Sequence, residues 1–168
     1  MSKSRKYIGT LRHNINDLSD EYLRLATQDE AVGRQLLTEK HYRHAVYFLV
    51  QAMEKFTRHK IYALVNPTAD YFQRRTRTHN LDELLDFLIE IVSSDPLVQS
   101  QVKKQLTTYV LRGIRFGSLH NNLRYPIFFR KRKSYAMLEV NGNDAEEVLD
   151  LLERLKAFLK EINKLQRE

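Results

Sequence analysis

The amino-acid sequence predicts an all-α protein, an up-and-down bundle of about five helices. Its 168 residues include only 5 glycines and 3 prolines, which disfavours the many tight turns of a β-sandwich or barrel. The hydrophobic share of 42% is that of an ordinary globular chain, and the apolar residues recur mostly at helical spacing. At this length we expect one domain, residues 1–168, with a single core.

The first two predicted helices cover residues 16–38 and 41–65. In the first, apolar side chains recur on one face and polar residues lie between them. In the second, the apolar arc is wide, and Phe48, Ala52 and Phe56 lie along its main stripe. Because such an arc needs more than one neighbour, we expect the second helix at the centre of the bundle.

The next two helices have recognisable starts. Proline at position 67 ends the second helix, and the polar residues 68–78 predict a loop. Asn80 with Glu83 then predicts a capped third helix. Pro96 suits the first position of a fourth helix, in which apolar residues recur every four positions.

The last helix is predicted to begin near Asn143, which forms a capping pair with Glu146. A clean amphipathic pattern follows, up to Ile162. Before it, residues 115–142 are the least periodic part of the chain. A loop of this length is typical of functional segments.

The formal net charge of +7 is concentrated in one segment. Residues 103–138 contain no Asp or Glu, and the remaining residues carry 19 of the 28 basic side chains and all 21 acidic ones, a net charge of −2. We call residues 103–138 the acid-free segment. Its cations are Lys103, Lys104, Arg112, Arg115, Arg124, Arg130, Lys131, Arg132 and Lys133. Such a surface favours an anionic partner, although the cations could also form a solvated face or pair with the acidic last helix.

Aromatic residues alternate with cations between positions 125 and 135, a composition typical of surfaces that stack bases and hold phosphates. The candidate nucleotide-binding or RNA-binding residues are Arg124, Tyr125, Arg130, Lys131, Arg132 and Lys133. For Phe128 and Phe129 we favour a different role, as core anchors of the long loop.

Several classes of site are disfavoured. The chain has no cysteine, which excludes disulfides and thiolate sites and fits a cytoplasmic protein. Its histidines lack the spacing of a zinc site, and it has no glycine-rich phosphate loop and no serine-hydrolase elbow. We therefore expect no metal and no cofactor. No signal peptide or membrane-spanning stretch is visible either.

Three short motifs occur in the order found in one known family. The first is the aromatic-alanine stripe that runs into Gln-Ala-Met-Glu-Lys at residues 51–55. The second is Thr-His-Asn-Leu-Asp-Glu-Leu-Leu at residues 78–85, and the third is Arg-Tyr-Pro at residues 124–126. Over about residues 20–165 the chain resembles the HEPN domain family, the all-α partners of minimal nucleotidyltransferases.

This resemblance implies a helical bundle that forms a homodimer and works near nucleotides or RNA. It also implies a minimal nucleotidyltransferase as a possible partner, in a toxin-antitoxin or defence system. Active ribonucleases of the family carry Arg-x(4–6)-His, with the arginine and the histidine of two protomers meeting in one cleft. In that chemistry histidine moves a proton and arginine stabilises the developing phosphorane charge, without a metal.

Arg115 and His120 fit the nuclease formula and lie in the acid-free segment. The formula discriminates little, because residues 34–41 and 74–79 also fit it. Phe116 and Asn122 depart from the polar residue and the tyrosine that active members usually have there. The pair is therefore a candidate for catalysis, for phosphate binding without turnover, or for a structural role.

Outside that pair, Glu54 and Lys55 are interpreted as structural, with Glu54 facing Arg58 one helical turn away. His79 is interpreted as a hinge or polar contact at a helix start. Three functions stay open: a module that binds nucleotide, RNA or a nucleotidyltransferase; a metal-independent endoribonuclease; and a purely structural interaction domain.

Overall fold

The computed structural model describes residues 8–9 and 17–162, and these are mostly helical, in keeping with the all-α class. Its elements are α1 (Leu18–Thr38), α2 (Tyr42–Leu64), α3 (Asp70–Arg75), α4 (Leu81–Val92), α5 (Pro96–Gln105), a π-helix (Leu106–Val110), α6 (Leu119–Asn122), β1 (Ile127–Phe129), β2 (Ser134–Ala136) and α7 (Gly142–Glu161). None of the helices in the described ranges is long and apolar enough to cross a membrane.

Helix α2 lies at the centre, as its wide apolar arc predicts. It packs against α1, α4 and α7, and Ala45, Leu49, Ala52 and Met53 are fully buried. Gly33 permits the close approach of α1, because a Cβ there would lie 2.9 Å from Cγ of Leu49. Because α2 packs against three helices, it is the central element of the fold.

The starts of the middle helices agree with the sequence. The Asn80 side chain accepts hydrogen bonds from the backbone N–H groups of Asp82 and Glu83, which caps α4. Pro96 is the first residue of α5, behind an Asp95 cap. The predicted fourth helix continues after Gln105 as the π-helix, whose Leu106 and Val110 are buried. Of the first helix, the predicted residue Asn16 lies outside the described residues.

The predicted cap of the last helix is wrong by two residues. Asn141, not Asn143, caps α7, and its side chain and backbone form a reciprocal pair of hydrogen bonds with Asp144. The chain contains the same Asn-x-x-acid spacing twice, at 141–144 and at 143–146. Local sequence therefore could not choose between them, and the packing of the helix decides.

The two predicted loops both contain regular structure. Helix α3 lies within residues 68–78, and residues 115–142 contain α6 and an antiparallel hairpin in which Phe128 pairs with Tyr135. These elements are three to six residues long, too short for a hydrophobic period to be visible in the sequence.

Candidate functional site

His120 is a buried residue of the short helix α6, with 8% of its surface exposed. Phe116 and Leu123 on either side of it are almost fully buried and attach this segment to the core. The Asp82 carboxylate of α4 accepts hydrogen bonds from the backbone N–H groups of Phe116 and Gly117. His120 is therefore held against α2 by packing before it and after it.

Both ring nitrogens of His120 have partners. Arg124 Nη1 lies 3.2 Å from Nε2, and the Gln51 side-chain amide lies 2.8 Å from Nδ1. A guanidinium has only donors, so Nε2 accepts and the hydrogen of the neutral ring is on Nδ1. The Gln51 atom at this distance is the amide nitrogen, so accepting from Nδ1–H requires the amide to turn by 180°, which brings its oxygen to that position. The basic nitrogen of His120 is the one next to Arg124.

A second histidine lies flat against the first. The rings of His79 and His120 are stacked, with centroids 5.0 Å apart and an interplanar angle of 6°. His79 Nδ1 lies 3.2 Å from Oε1 of Glu54, whereas 70% of the His79 side chain is exposed. The pair thus joins one ring that is buried and one that solvent reaches.

A buried ion pair orients Glu54. Arg58 lies 2.9 Å from Glu54 and also donates hydrogen bonds to the carbonyl oxygens of Thr76 and Thr78. Both side chains of the pair are less than a tenth exposed. Arg58 therefore fixes Glu54 and, at the same time, the segment that carries His79. We call Gln51, Glu54, Arg58, His79, His120 and Arg124 the histidine cluster.

The environment of His120 favours its neutral form. Burial lowers the pKa of His120, as do the neighbouring charges of His79 and Arg124, while Glu54 acts in the opposite direction. The ring is therefore neutral at pH 7 and presents a basic nitrogen. Two neighbouring imidazoles beside a cation can divide acid–base catalysis between them. The neutral ring can accept one proton, and the accessible ring can supply another.

Arg115, the arginine of the nuclease formula, lies at a cavity whose lining does not include His120. It is exposed and lines this cavity of about 310 Å³ between α4 and the π-helix, together with Asp82, Asp86 and Lys103. The arginine that contacts His120 is Arg124. Joint action of Arg115 and His120 stays a prediction.

The basic hairpin, residues 127–136, lies on the surface. Phe128 and Phe129 are 50% and 47% exposed, so their predicted role as core anchors is wrong. Phe128 contacts the 73% exposed Tyr135 opposite it, with ring centroids 5.0 Å apart. Among the described residues no third strand joins this two-stranded hairpin, and its rings stay exposed.

The cations of the hairpin differ from the other cations of the acid-free segment in their surroundings. Within the described residues, Arg130, Lys131, Arg132 and Lys133 are exposed and form no ion pair. In the acid-free segment, only Lys103 with Asp86 and Arg112 with Asp150 do so among the residues described. Of the cations in the acid-free segment, Arg112 thus pairs with the acidic last helix, whereas the hairpin cations do not.

Arg124 and Tyr125 connect the two regions. The Arg124 guanidinium contacts His120 and lies over the Tyr125 ring at 5.0 Å, two residues before the hairpin begins. Arg43 of α2 donates hydrogen bonds to the carbonyl oxygens of Asn122 and Leu138, on either side of the hairpin. The hairpin is thus tied to the same helix as the histidine cluster.

Sequence reasoning named His120, Arg124 and Tyr125 but gave no site role to Gln51, Glu54 or His79. A signal for two of them exists: Arg43, Tyr47, Gln51, Glu54 and Arg58 are spaced by four, four, three and four residues along α2. This is one helical face. Polar residues on one face of an otherwise buried helix indicate partners elsewhere in the chain.

Comparison with known proteins adds no family. No family model matches the chain, and neither a curated protein nor a solved structure matches it. Among the described residues there is also no group of three or more His, Cys, Asp or Glu side chains placed to hold a metal ion.

Proposed function

We propose that this protein is a HEPN-like helical domain that binds single-stranded RNA through the basic hairpin. The observation that carries the proposal is the exposure of Phe128, Phe129 and Tyr135 beside four cations that form no ion pair in the part of the chain that the structure describes. The three family-like motifs support it, because each contributes to the histidine cluster beside the hairpin, through Gln51 and Glu54, His79, and Arg124.

Rings and cations have complementary tasks on such a surface. Each exposed ring offers a face to one unpaired base, and the lysine and arginine side chains at the turn hold the phosphates that connect the bases. An RNA duplex keeps its bases stacked and offers few faces to these rings. Single-stranded RNA is therefore the expected ligand. The homodimer and the nucleotidyltransferase partner that the resemblance implies stay predictions.

The binding test compares two charge variants of equal size. The hairpin variant replaces four cations by Gln: Arg130, Lys131, Arg132 and Lys133. The control variant replaces four other exposed cations by Gln: Lys40, Arg74, Lys104 and Lys160. Fluorescence anisotropy with labelled single-stranded RNA is measured from about 50 to 200 mM salt. The slope of log affinity against log salt should fall by about 0.7 for each phosphate that is no longer neutralised, in the hairpin variant only. Equal decreases in both variants would mean that binding follows net charge and not the hairpin.

A second function, metal-independent RNA cleavage, is favoured by His120. Its neutral ring offers a nitrogen that can accept the proton of a 2′-hydroxyl, and Arg124 can stabilise charge on a phosphate. Cleavage should persist in excess chelator and be lost in His120→Gln. The family formula adds that Arg115→Gln should lose it too. If neither substitution changes the rate, both assignments are wrong.

A further inference from the structure

We propose that His79 and His120 of a single chain form a proton-transfer pair for RNA cleavage, with His120 as the base and His79 as the acid. This inference rests on the second function above. It departs from the family formula, in which Arg115 and His120 of two protomers would form the site. The observation that carries it is the parallel stacking of the two rings, one buried and one exposed.

His79 is held in place although it is exposed. Its Nδ1 is bound to Glu54, and Glu54 is itself fixed by Arg58. Arg58 also holds the backbone at Thr76 and Thr78, immediately before His79. An ordinary surface histidine has no such support. Since Nδ1 is occupied by Glu54, Nε2 is the nitrogen that His79 presents to a ligand.

The two histidines have opposite surroundings. His120 is buried, and Arg124 donates to its Nε2, which keeps that nitrogen free of hydrogen. His79 is open to solvent, and its Nδ1 lies 3.2 Å from Oε1 of the Glu54 carboxylate. The other groups around the pair are Arg58 behind Glu54 and the Tyr47 ring, 5.9 Å from His120. A base and an acid side by side are what proton transfer to and from one phosphodiester needs.

The step balances without a metal or another reactant. Nε2 of His120 takes the proton of the ribose 2′-hydroxyl, and the 2′-oxygen forms a bond to phosphorus. The bond from phosphorus to the 5′-oxygen breaks, and that oxygen takes a proton from Nε2 of His79. The products are a 2′,3′-cyclic phosphate and a 5′-hydroxyl, and one proton has moved in all from His79 to His120. Proton exchange with water then returns His120 to its neutral form and His79 to its protonated form.

Arg124 connects this step to the hairpin. At 3.2 Å it covers the basic nitrogen of His120, so it must turn toward a bound phosphate before His120 can act. Arg124 also lies over Tyr125, next to the surface that would hold the RNA. RNA bound at the hairpin therefore brings a phosphate to the one guanidinium that covers the base. DNA, which has no 2′-hydroxyl, should bind without being cleaved.

The test measures cleavage of labelled RNA, with the product identified as a cyclic phosphate, in the full chain and in three variants. His79→Gln and His120→Gln should each lose about 100-fold in rate or more. The control His41→Gln, an exposed histidine at the start of α2 whose side chain makes no cap hydrogen bond, should cleave as the unchanged protein does. Because His79 is exposed, its replacement should not prevent folding, and circular dichroism checks this.

A pH profile separates an acid from a structural residue. The unchanged protein should show a bell-shaped profile, since one histidine must be neutral and the other protonated. Without the acid His79, the falling limb at high pH should disappear while the rising limb stays. A purely structural role would lower the whole profile and keep its shape.

Mixing variants tests the single-chain placement. Co-expressed His79→Gln and His120→Gln chains should stay as inactive as either alone, because no chain then holds both rings. Restored cleavage would overturn the placement in one chain, and cleavage by His79→Gln within threefold of the unchanged protein would overturn the inference alone. If the unchanged protein cleaves no RNA, the second function is wrong and this inference fails with it.

Discussion

The histidine cluster and the basic hairpin use the cations of the same acid-free segment in opposite ways. In the cluster, Arg124 has a hydrogen-bond partner and lies against a buried ring. In the hairpin, the four cations at the turn have no partner among the described residues, and the aromatic rings around them are exposed. One region is satisfied within the chain, and the other has exposed rings and cations without a partner among the described residues.

This difference separates stability from binding. The buried members Glu54 and Arg58 lie on the central helix α2, so changing them should change both the free energy of unfolding and the chemistry. The hairpin contributes little to the core, so changing it should alter affinity alone. A substitution in one region should therefore leave the property that depends on the other region unchanged.

The largest effect is expected for Arg58→Ala. This change leaves the Glu54 carboxylate buried without its guanidinium and removes the donors of the Thr76 and Thr78 carbonyls. Breaking a buried pair from one side lowers the free energy of unfolding by about 3 to 5 kcal/mol. Urea unfolding measures it. In the control Lys103→Ala, which breaks the exposed pair with Asp86, the loss should be about 1 kcal/mol or less. Similar losses in both variants would mean that Arg58 does not hold the cluster.

A smaller effect, on affinity and not on stability, is expected for Phe128→Ala. Losing one ring that stacks on a base weakens binding of single-stranded RNA by about 1 to 3 kcal/mol, or roughly 5-fold to 150-fold. The ring is half exposed, so the urea midpoint should move little. Tyr109→Ala is the matched control, since Tyr109 is 68% exposed in the same segment but outside the hairpin. Equal affinity losses in the two variants would show that the hairpin ring binds RNA no more strongly than another exposed ring.

Sequence reasoning reached the long helices because their signals are local. The periods of α1, α2, α4 and α7 each repeat over at least three turns, and the Asn80 cap lies next to the helix that it starts. Where two local signals competed, as at Asn141 and Asn143, the wrong one was preferred. For Phe128 and Phe129, hydrophobicity suggested burial, but only the packing of other elements decides whether a cover exists.

The site could be predicted only in part because its contacts are far apart in sequence. Gln51 and His120 are separated by 69 residues, and Glu54 and His79 by 25. A motif formula such as Arg-x(4–6)-His can name His120 but not the ring stacked on it. It also named Arg115, whereas Arg124, one helical turn after His120, is the arginine in contact. The polar face of α2 was the available sign that long-range partners exist.

The smallest expected effect concerns the dependence of stability on pH. The pKa of His120 is lowered in the folded protein from its ordinary value of 6.5, which the unfolded chain keeps. The unfolded chain therefore takes up a proton first as the pH falls. The contribution of His120 to the free energy of unfolding is complete above pH 6.5 and is lost as the pH falls toward the native pKa.

Urea unfolding at several pH values between about 5 and 8 measures this contribution. In His120→Gln, the decrease of stability on the acid side of 6.5 should become less steep. The hairpin contains no histidine, so its charge variant should keep the slope of the unchanged protein. If His120→Gln leaves the slope unaltered, the ring is not held neutral by the cluster. The hydrogen bonds of the histidine cluster would then not set the protonation of His120, and the cluster would not differ from the hairpin in this respect. His120 would also be no better suited to act as a base than an ordinary histidine.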